Sequence, residues 1–227
     1  PYMRSALSPH LPHGLAASVI GLALVAAGLA GGVGGGAISA AAAVASPASL
    51  RVQVVDAAGL PVRDAVVELP GAKGTPAGPI RFPWKMGMGQ KNRQFTPGTL
   101  VVAKGSTVAF PNLDNVRHSI YSFSKPARFA IELYGRDQTR THTFAIAGSV
   151  KLGCNIHDEM RGYIRVTDTP FAGKTDHNGY VTLTGMASGG ARLTVWHPLL
   201  RTPSGESTAA ITVAGGAQTH KLKVTLR

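Results

Sequence analysis

The sequence is short of several things. It holds one cysteine in 227 residues, so no disulfide can form within the chain. Only 15% of residues are charged, and 11 Asp and Glu stand against 23 Lys and Arg, a formal charge of +12. Aromatic residues make up 6%. The basic residues are scattered, without the dense run or motif that nucleic-acid binding uses, so no nucleic-acid partner is expected. No G-x-S-x-G, HExxH or P-loop occurs, nor a second His-rich cluster, so the chain does not read as an enzyme. A basic chain of this kind suits an acidic protein or an anionic membrane surface.

No charged residue lies between Arg4 and Arg51. Within that stretch Leu15 to Leu29 has the length of a signal h-region, and Ala43-Val44-Ala45 fits the small-x-small cleavage rule. Residues 1–45 therefore read as an export signal, with Met3-Arg4 as a start. The alternative is an uncleaved anchor, the one way a membrane would enter. Gly31 to Gly36 argues against a well-packed spanning helix. The expected compartment is the periplasm.

What is abundant is Gly (28), Pro (15) and β-branched residues, a composition for short strands and turns. Residues 49–69 alternate apolar and polar around Ala58-Gly59-Leu60-Pro61, a strand, a turn and a second strand. Seven further strands are expected between 99 and 167, with turns at Lys104-Gly105, Pro111-Asn112, Tyr134-Gly135 and Ala147-Gly148. Four more follow, over 180–183, 192–196, 209–213 and 221–226. The fold class is all-β.

The segment Gly153-Cys154-Asn155-Ile156-His157-Asp158-Glu159-Met160 puts Cys, His and Met on one loop between two expected strands, spaced Cys-x2-His-x2-Met. His118 starts an upstream strand, after the turn Phe110-Pro111-Asn112-Leu113-Asp114. An unpaired thiol in an exported chain can form an intermolecular disulfide, lie inert in a core, or ligate a metal. Two imidazoles, a thiolate and a weak thioether form the ligand set of blue copper. Cys154, His118 and His157 would be the strong ligands and Met160 the long axial one. A Met at that place can also simply fill a core gap.

Three segments carry a resemblance to the plastocyanin/amicyanin type of cupredoxin. They are 99–112 (TLVVAKGSTVAFPN), 118–122 (HSIYS) and Phe144-x3-Gly148-x5-Cys154-x2-His157-x2-Met160. The wording Phe95-x-Pro97, FPN, HSIYSFS and GCNIHDEM is similar to plastocyanin-like proteins labelled "methylamine utilization protein". The resemblance implies a Greek-key β-sandwich over 83–168 that holds one type 1 copper, Cu(I)/Cu(II), on His118, Cys154, His157 and Met160. It also implies that Asn112 braces the His118 loop and that the Ser119 amide lies near the thiolate. Its function would be electron transfer with a redox protein such as a c-type cytochrome or a periplasmic dehydrogenase. In many cupredoxins the loop around the exposed histidine is apolar. Here Asp158, Glu159 and Arg161 follow His157, which points to a more charged encounter surface.

The flanks resemble a second family. Residues 52–69 (V-x-V-x-D-x-x-G-x-P-V-x-x-A-x-V-x-L) look like the opening of a carboxypeptidase regulatory-like, or transthyretin-like, sandwich, and 175–196 like its continuation. The cupredoxin module is then expected to be inserted in, or packed on, a sandwich made of 48–80 and 169–227. A single elongated sandwich with extra strands is the simpler alternative.

Other residues invite lesser readings. Met86 and Met88 are expected to pack in a loop or at an edge, and the alternative is an exposed pair for Cu(I), which would suit a copper carrier or storage module. His142, His177 and His220 read as surface groups, and Trp196-His197-Pro198 as packing between the modules. A structural or carbohydrate-interacting sandwich without copper is the third reading.

Overall fold

The computed structural model describes residues 48–227, and the export-signal reading of 1–45 lies outside them. These residues form sixteen strands. They are β1 (Ala48–Val55), β2 (Val66–Glu68), β3 (Gly89–Lys91), β4 (Gln94–Thr96), β5 (Thr99–Ala103), β6 (Ser106–Pro111), β7 (His118–Ser124) and β8 (Ala127–Tyr134). Then come β9 (Thr139–Phe144), β10 (Gly148–Gly153), β11 (Arg161–Thr167), β12 (Ala172–Lys174), β13 (Tyr180–Met186), β14 (Gly189–Trp196), β15 (Glu206–Val213) and β16 (Ala217–Lys223). Among the described residues no helix is long and apolar enough to cross a membrane.

The strands pack around two separate hydrophobic cores, and the two groups are termed the outer and the inner sandwich. The outer sandwich faces a sheet of order β13-β1-β16 against one of order β12-β2-β14-β15. Its core takes Val52, Val54, Val67, Leu69, Leu193 and Val195, the inward half of each alternating pattern. The inner sandwich has a five-stranded sheet, β5-β11-β10-β7-β8, and the pairs β6-β9 and β3-β4. Its core includes Phe110, Ile120, Phe144, Leu152 and Ile164. Every inner strand, β3 to β11, lies in the chain between β2 and β12 of the outer sandwich. The first and last outer strands run side by side in parallel, from Ser49 with Ala217 to Val55 with Lys223.

Turn chemistry closes the outer sandwich. Asp56 Oδ1 accepts the amides of Ala58 and Leu60, and Asp176 Oδ1 accepts those of Asn178 and Tyr180. The amides of Tyr180 and Asn178, the first contributing most, hold the Asp176 carboxyl below the usual carboxylate range. Gly179 sits at φ +75°, where an added Cβ would lie 2.5 Å from the Val54 carbonyl oxygen.

Three differences from the sequence reading have plain causes. The β3–β4 hairpin was not expected, since Gly-Gln-Lys-Asn-Arg-Gln shows no apolar alternation. Its turn is made by Asn92 and Arg93, both left-handed, at φ 54° and 55°. The last strand was expected at 221–226 and instead covers Ala217–Lys223, because its partner β1 ends at Val55. The third is that Met88, expected to pack in a loop or at an edge, lies fully buried in the inner core, with Met86 packed against that core.

The sandwiches meet through an apolar seam and an ion pair. Trp196, Val66 and Ala172 pack on Val101, with Phe82, Trp84 and Tyr163 around them. Trp84 Nε1 donates to the Val101 carbonyl at 2.8 Å. Arg165, on β11, donates from Nε and Nη2 to Glu68 Oε2 on β2, at 2.9 and 2.5 Å, and from Nη1 to Glu206 Oε1 on β15 at 2.6 Å. Arg165 and Glu68 are both buried, so each needs the other to offset the cost of leaving water.

Two stability predictions follow from these contacts. Arg165→Met leaves Glu68 buried and unpaired and should lower the unfolding free energy by about 3–5 kcal/mol, measured by urea denaturation. Replacing Glu68 and Arg165 together by Met should recover most of that loss. His142, expected at the surface, is half-buried and stacked on Phe129 with ring centroids 3.8 Å apart. Burial lowers its pKa from 6.5. The native state therefore binds the proton less readily than the unfolded chain. The His142 contribution is complete above pH 6.5 and lost as pH falls through the lowered native value. The urea midpoint of the His142→Phe variant should decline less between about pH 7 and pH 5 than that of the parent.

Candidate metal centre

The site lies where β7 begins and β10 ends. Antiparallel pairing of Gly153 with Tyr121 brings the two strands together at this end. Gly153 is required there, as a Cβ would sit 2.6 Å from Tyr121 Cζ. Cys154 follows, buried and free. The loop then turns, the Met160 amide donating to the His157 carbonyl at 2.9 Å, and Met160 is buried in the same core as Cys154.

Four sequence-predicted ligands thus come from one strand start and one loop. Three are brought together by their donor atoms: His118, Cys154 and His157 offer ligand atoms all within 4.8 Å of one another, the only such group among the described residues. His118 Nδ1 and His157 Nδ1 are 3.1 Å apart, and Cys154 Sγ is 3.6 Å from the second and 3.9 Å from the first. His118 is wholly buried and His157 partly exposed. His177 and His197 stand apart from the group.

The surroundings hold the donors in place. Asn112, fully buried, donates from Nδ2 to the carbonyls of Val116 and Tyr134, at 2.9 and 3.0 Å, and accepts the Asp114 amide on Oδ1 at 2.9 Å. These bonds tie together the loop that leads to His118. Tyr134 Oη in turn donates to the Phe110 carbonyl at 3.0 Å, and burial raises its pKa. Ser119 presents its hydroxyl to the ligand loop. Its Oγ accepts the Asn155 amide at 3.0 Å and lies 3.8 Å from Cys154 Sγ.

Sequence reading missed Asp114, which it saw only as a turn residue. Asp114 Oδ2 accepts His118 Nε2 at 2.8 Å, and its oxygens also accept the amides of Asn92 and Arg93 at 2.6 and 2.9 Å. Burial pushes this carboxyl up, but the Arg93 amide, the His118 ring and the Asn92 amide outweigh it and hold it below the usual range. His157 is held below the ordinary histidine value, first by burial and then by the neighbouring His118. The weak signal for Asp114 was its place four residues before His118 in a loop already marked by Asn112.

The donors suit a first-row transition metal. With bonds of about 2.0 Å to nitrogen and 2.3 Å to sulfur, a trigonal centre separates its donors by about 3.5–3.8 Å. The observed 3.1, 3.6 and 3.9 Å bracket that spacing. A thiol beside two imidazoles is a soft, nitrogen-and-sulfur set, unlike the oxygen cages of calcium or magnesium.

No family model and no curated protein matches the chain. Solved structures do. A purple cupredoxin from Nitrosopumilus maritimus is 22% identical over 36% of this chain and 98% of its own, with a TM-score of 0.33. A reduced tryptophan-to-tyrosine mutant of amicyanin is 19% identical over 44% of this chain and 98% of its own, at 0.35. A copper-containing nitrite reductase from Thermus scotoductus SA-01 is 23% identical over 50% of this chain and 28% of its own, at 0.35. Each is under a quarter identical, and the site chemistry rests on the donors themselves.

The bracing makes its own prediction. Asn112→Ala leaves one buried carbonyl, one half-buried carbonyl and one amide without their partner and should cost about 1–3 kcal/mol, measured by denaturant unfolding of the metal-free protein.

Proposed function

We propose that this chain is a type 1 copper protein that carries single electrons between redox proteins in the periplasm. The observation that carries the reading is the close grouping of Nδ1 of His118, Nδ1 of His157 and Sγ of Cys154 within 4.8 Å on a β-scaffold. Copper bound there would supply a one-electron couple, with a covalent path through the thiolate. Cys154 would bind as thiolate, the two histidines as neutral imidazoles, and Met160 as the weak axial thioether.

The chain's part is to keep these groups still. Donors seated on strand ends and braced by Asn112 and Ser119 keep one arrangement for both charge states, which keeps reorganisation small. Burial of Cys154 keeps water and oxidants away from the sulfur. Nothing in this reading calls for catalysis by the chain.

The proposed partner is a c-type cytochrome or a periplasmic dehydrogenase, meeting the protein near the partly exposed His157. That surface is mixed. Ile156 and Leu113 are each 51% exposed, and Asp158 and Glu159 stand beside them in solvent. A cleft of about 550 Å³ adjoins the loop, lined by Tyr121, Phe123, Lys151, Asp158, Met160 and Arg161. Such charges set orientation and association rate more than affinity. Export to the periplasm is proposed from the uncharged N-terminal stretch. A carrier role would rest on Met86 and Met88 as Cu(I) ligands, and the burial of Met88 removes its support.

Copper loading tests the reading. The protein should take up one copper per chain, turn intensely coloured through a thiolate-to-copper band, and show a narrow copper hyperfine pattern. Cys154→Ser should lose both signals. A weakly coloured adduct with ordinary hyperfine splitting, or colour that survives Cys154→Ser, would overturn it.

A further inference from the structure

We propose that Asp114 is a positioning residue that locks His118 as its Nε2–H tautomer and pins that ring to the β3–β4 hairpin. Four observations converge. Asp114 Oδ2 lies 2.8 Å from His118 Nε2, with the two side chains 11% and 0% exposed. An ionised carboxylate only accepts hydrogen bonds, so Nε2 must carry the proton. In the neutral ring Nδ1 is then the acceptor nitrogen, on the side that faces Cys154 Sγ and His157 Nδ1.

The carboxylate is itself held from two directions. The consecutive amides of Asn92 and Arg93, both in the left-handed region, converge on its two oxygens in the manner of an anion-binding nest. The Asp114 amide is fixed by Asn112 Oδ1. Rotation of the carboxylate is thereby removed, and through it rotation of the imidazole. This also gives the β3–β4 hairpin a role. Its tip has no apolar side chain to bury, and its left-handed turn presents amides to a charge.

The tautomer claim concerns the metal-free chain and stands without copper. Its consequence for the centre rests on the copper reading above. An unprotonated, oriented Nδ1 spares the site the cost of turning the ring, and the negative charge beyond it makes the imidazole a better donor. It also favours the more positive charge state of whatever the ring holds.

The experiment uses the full chain, labelled with ¹⁵N and free of metal, at about pH 8, where ordinary imidazoles are neutral. Long-range proton–nitrogen correlation reports which ring nitrogen of each histidine is protonated. His118 should appear as Nε2–H alone, and Asp114→Ala should turn it into a mixture of tautomers. Nδ1–H at His118 in the parent protein, or an unchanged tautomer in Asp114→Ala, would overturn the proposal. The parent spectrum needs no variant, so a poorly folded Asp114→Ala leaves that arm intact. On the copper-loaded protein Asp114→Ala should weaken copper binding about 10- to 100-fold and raise the reduction potential while the thiolate band survives. An unchanged affinity and potential would remove the electrostatic part. Failure of the parent protein to bind copper would sink the copper reading and leave the tautomer result standing.

Discussion

Two imidazole nitrogens and a cysteine sulfur face one another within 4.8 Å at a largely buried spot. The three are in contact at 3.1 to 3.9 Å, two of the contacts being weak ones to sulfur, so most of the hold on the arrangement comes from the scaffold. The two chain segments involved are 36 residues apart at their nearest donors, His118 and Cys154. They are joined by the pairing of β7 with β10, and the energy for holding them comes from the apolar core beneath those strands. Met160 and Cys154 belong to that core, so the same burial that stabilises the fold fixes the site.

Polar bracing does what apolar packing cannot. Hydrophobic contact is non-directional and would let the His118 loop slide. Asn112 spends its amide on Val116, Tyr134 and Asp114, and Asp114 spends its carboxylate on His118 and the hairpin amides. Each is a directional bond, and those of Asn112 and His118 join buried or half-buried groups, where loss of a partner is felt most. The outer sandwich contributes at a distance. It lies against β5 and β11 through Trp196 and Arg165, next to the strand that leads out of the ligand loop. The chain leaves the outer sandwich after β2 and returns at β12, so both ends of the inner module are tethered to a folded body.

Much of the architecture was legible because its period is simple. Alternation at two residues marks β1, β6 and β7, and Gly-rich turns separate them, so the all-β class and most strand positions could be read directly. The β3–β4 hairpin could not. Its residues are polar, its strands are three residues long, and what orders them is Asp114, some twenty residues on. The end of β16 was misplaced for a similar reason, since parallel pairing with β1 sets its register and local pattern does not. His142 was read as a surface group because its polar neighbours say nothing of the Phe129 ring that stacks on it.

For the site itself, the sequence determined the donor types and the local spacing. Cys154, His157 and Met160 share one loop, where three-residue steps keep side chains within reach of a common point. Asn112 and Ser119 followed from resemblance. What only the tertiary structure decided is which nitrogen of each ring faces the sulfur, that the Ser119 hydroxyl accepts the Asn155 amide, and that Asp114 stands behind His118. Spacing along a chain constrains neighbours a few residues apart. Ring orientation depends on partners brought in by strand pairing, and those are set by the fold as a whole.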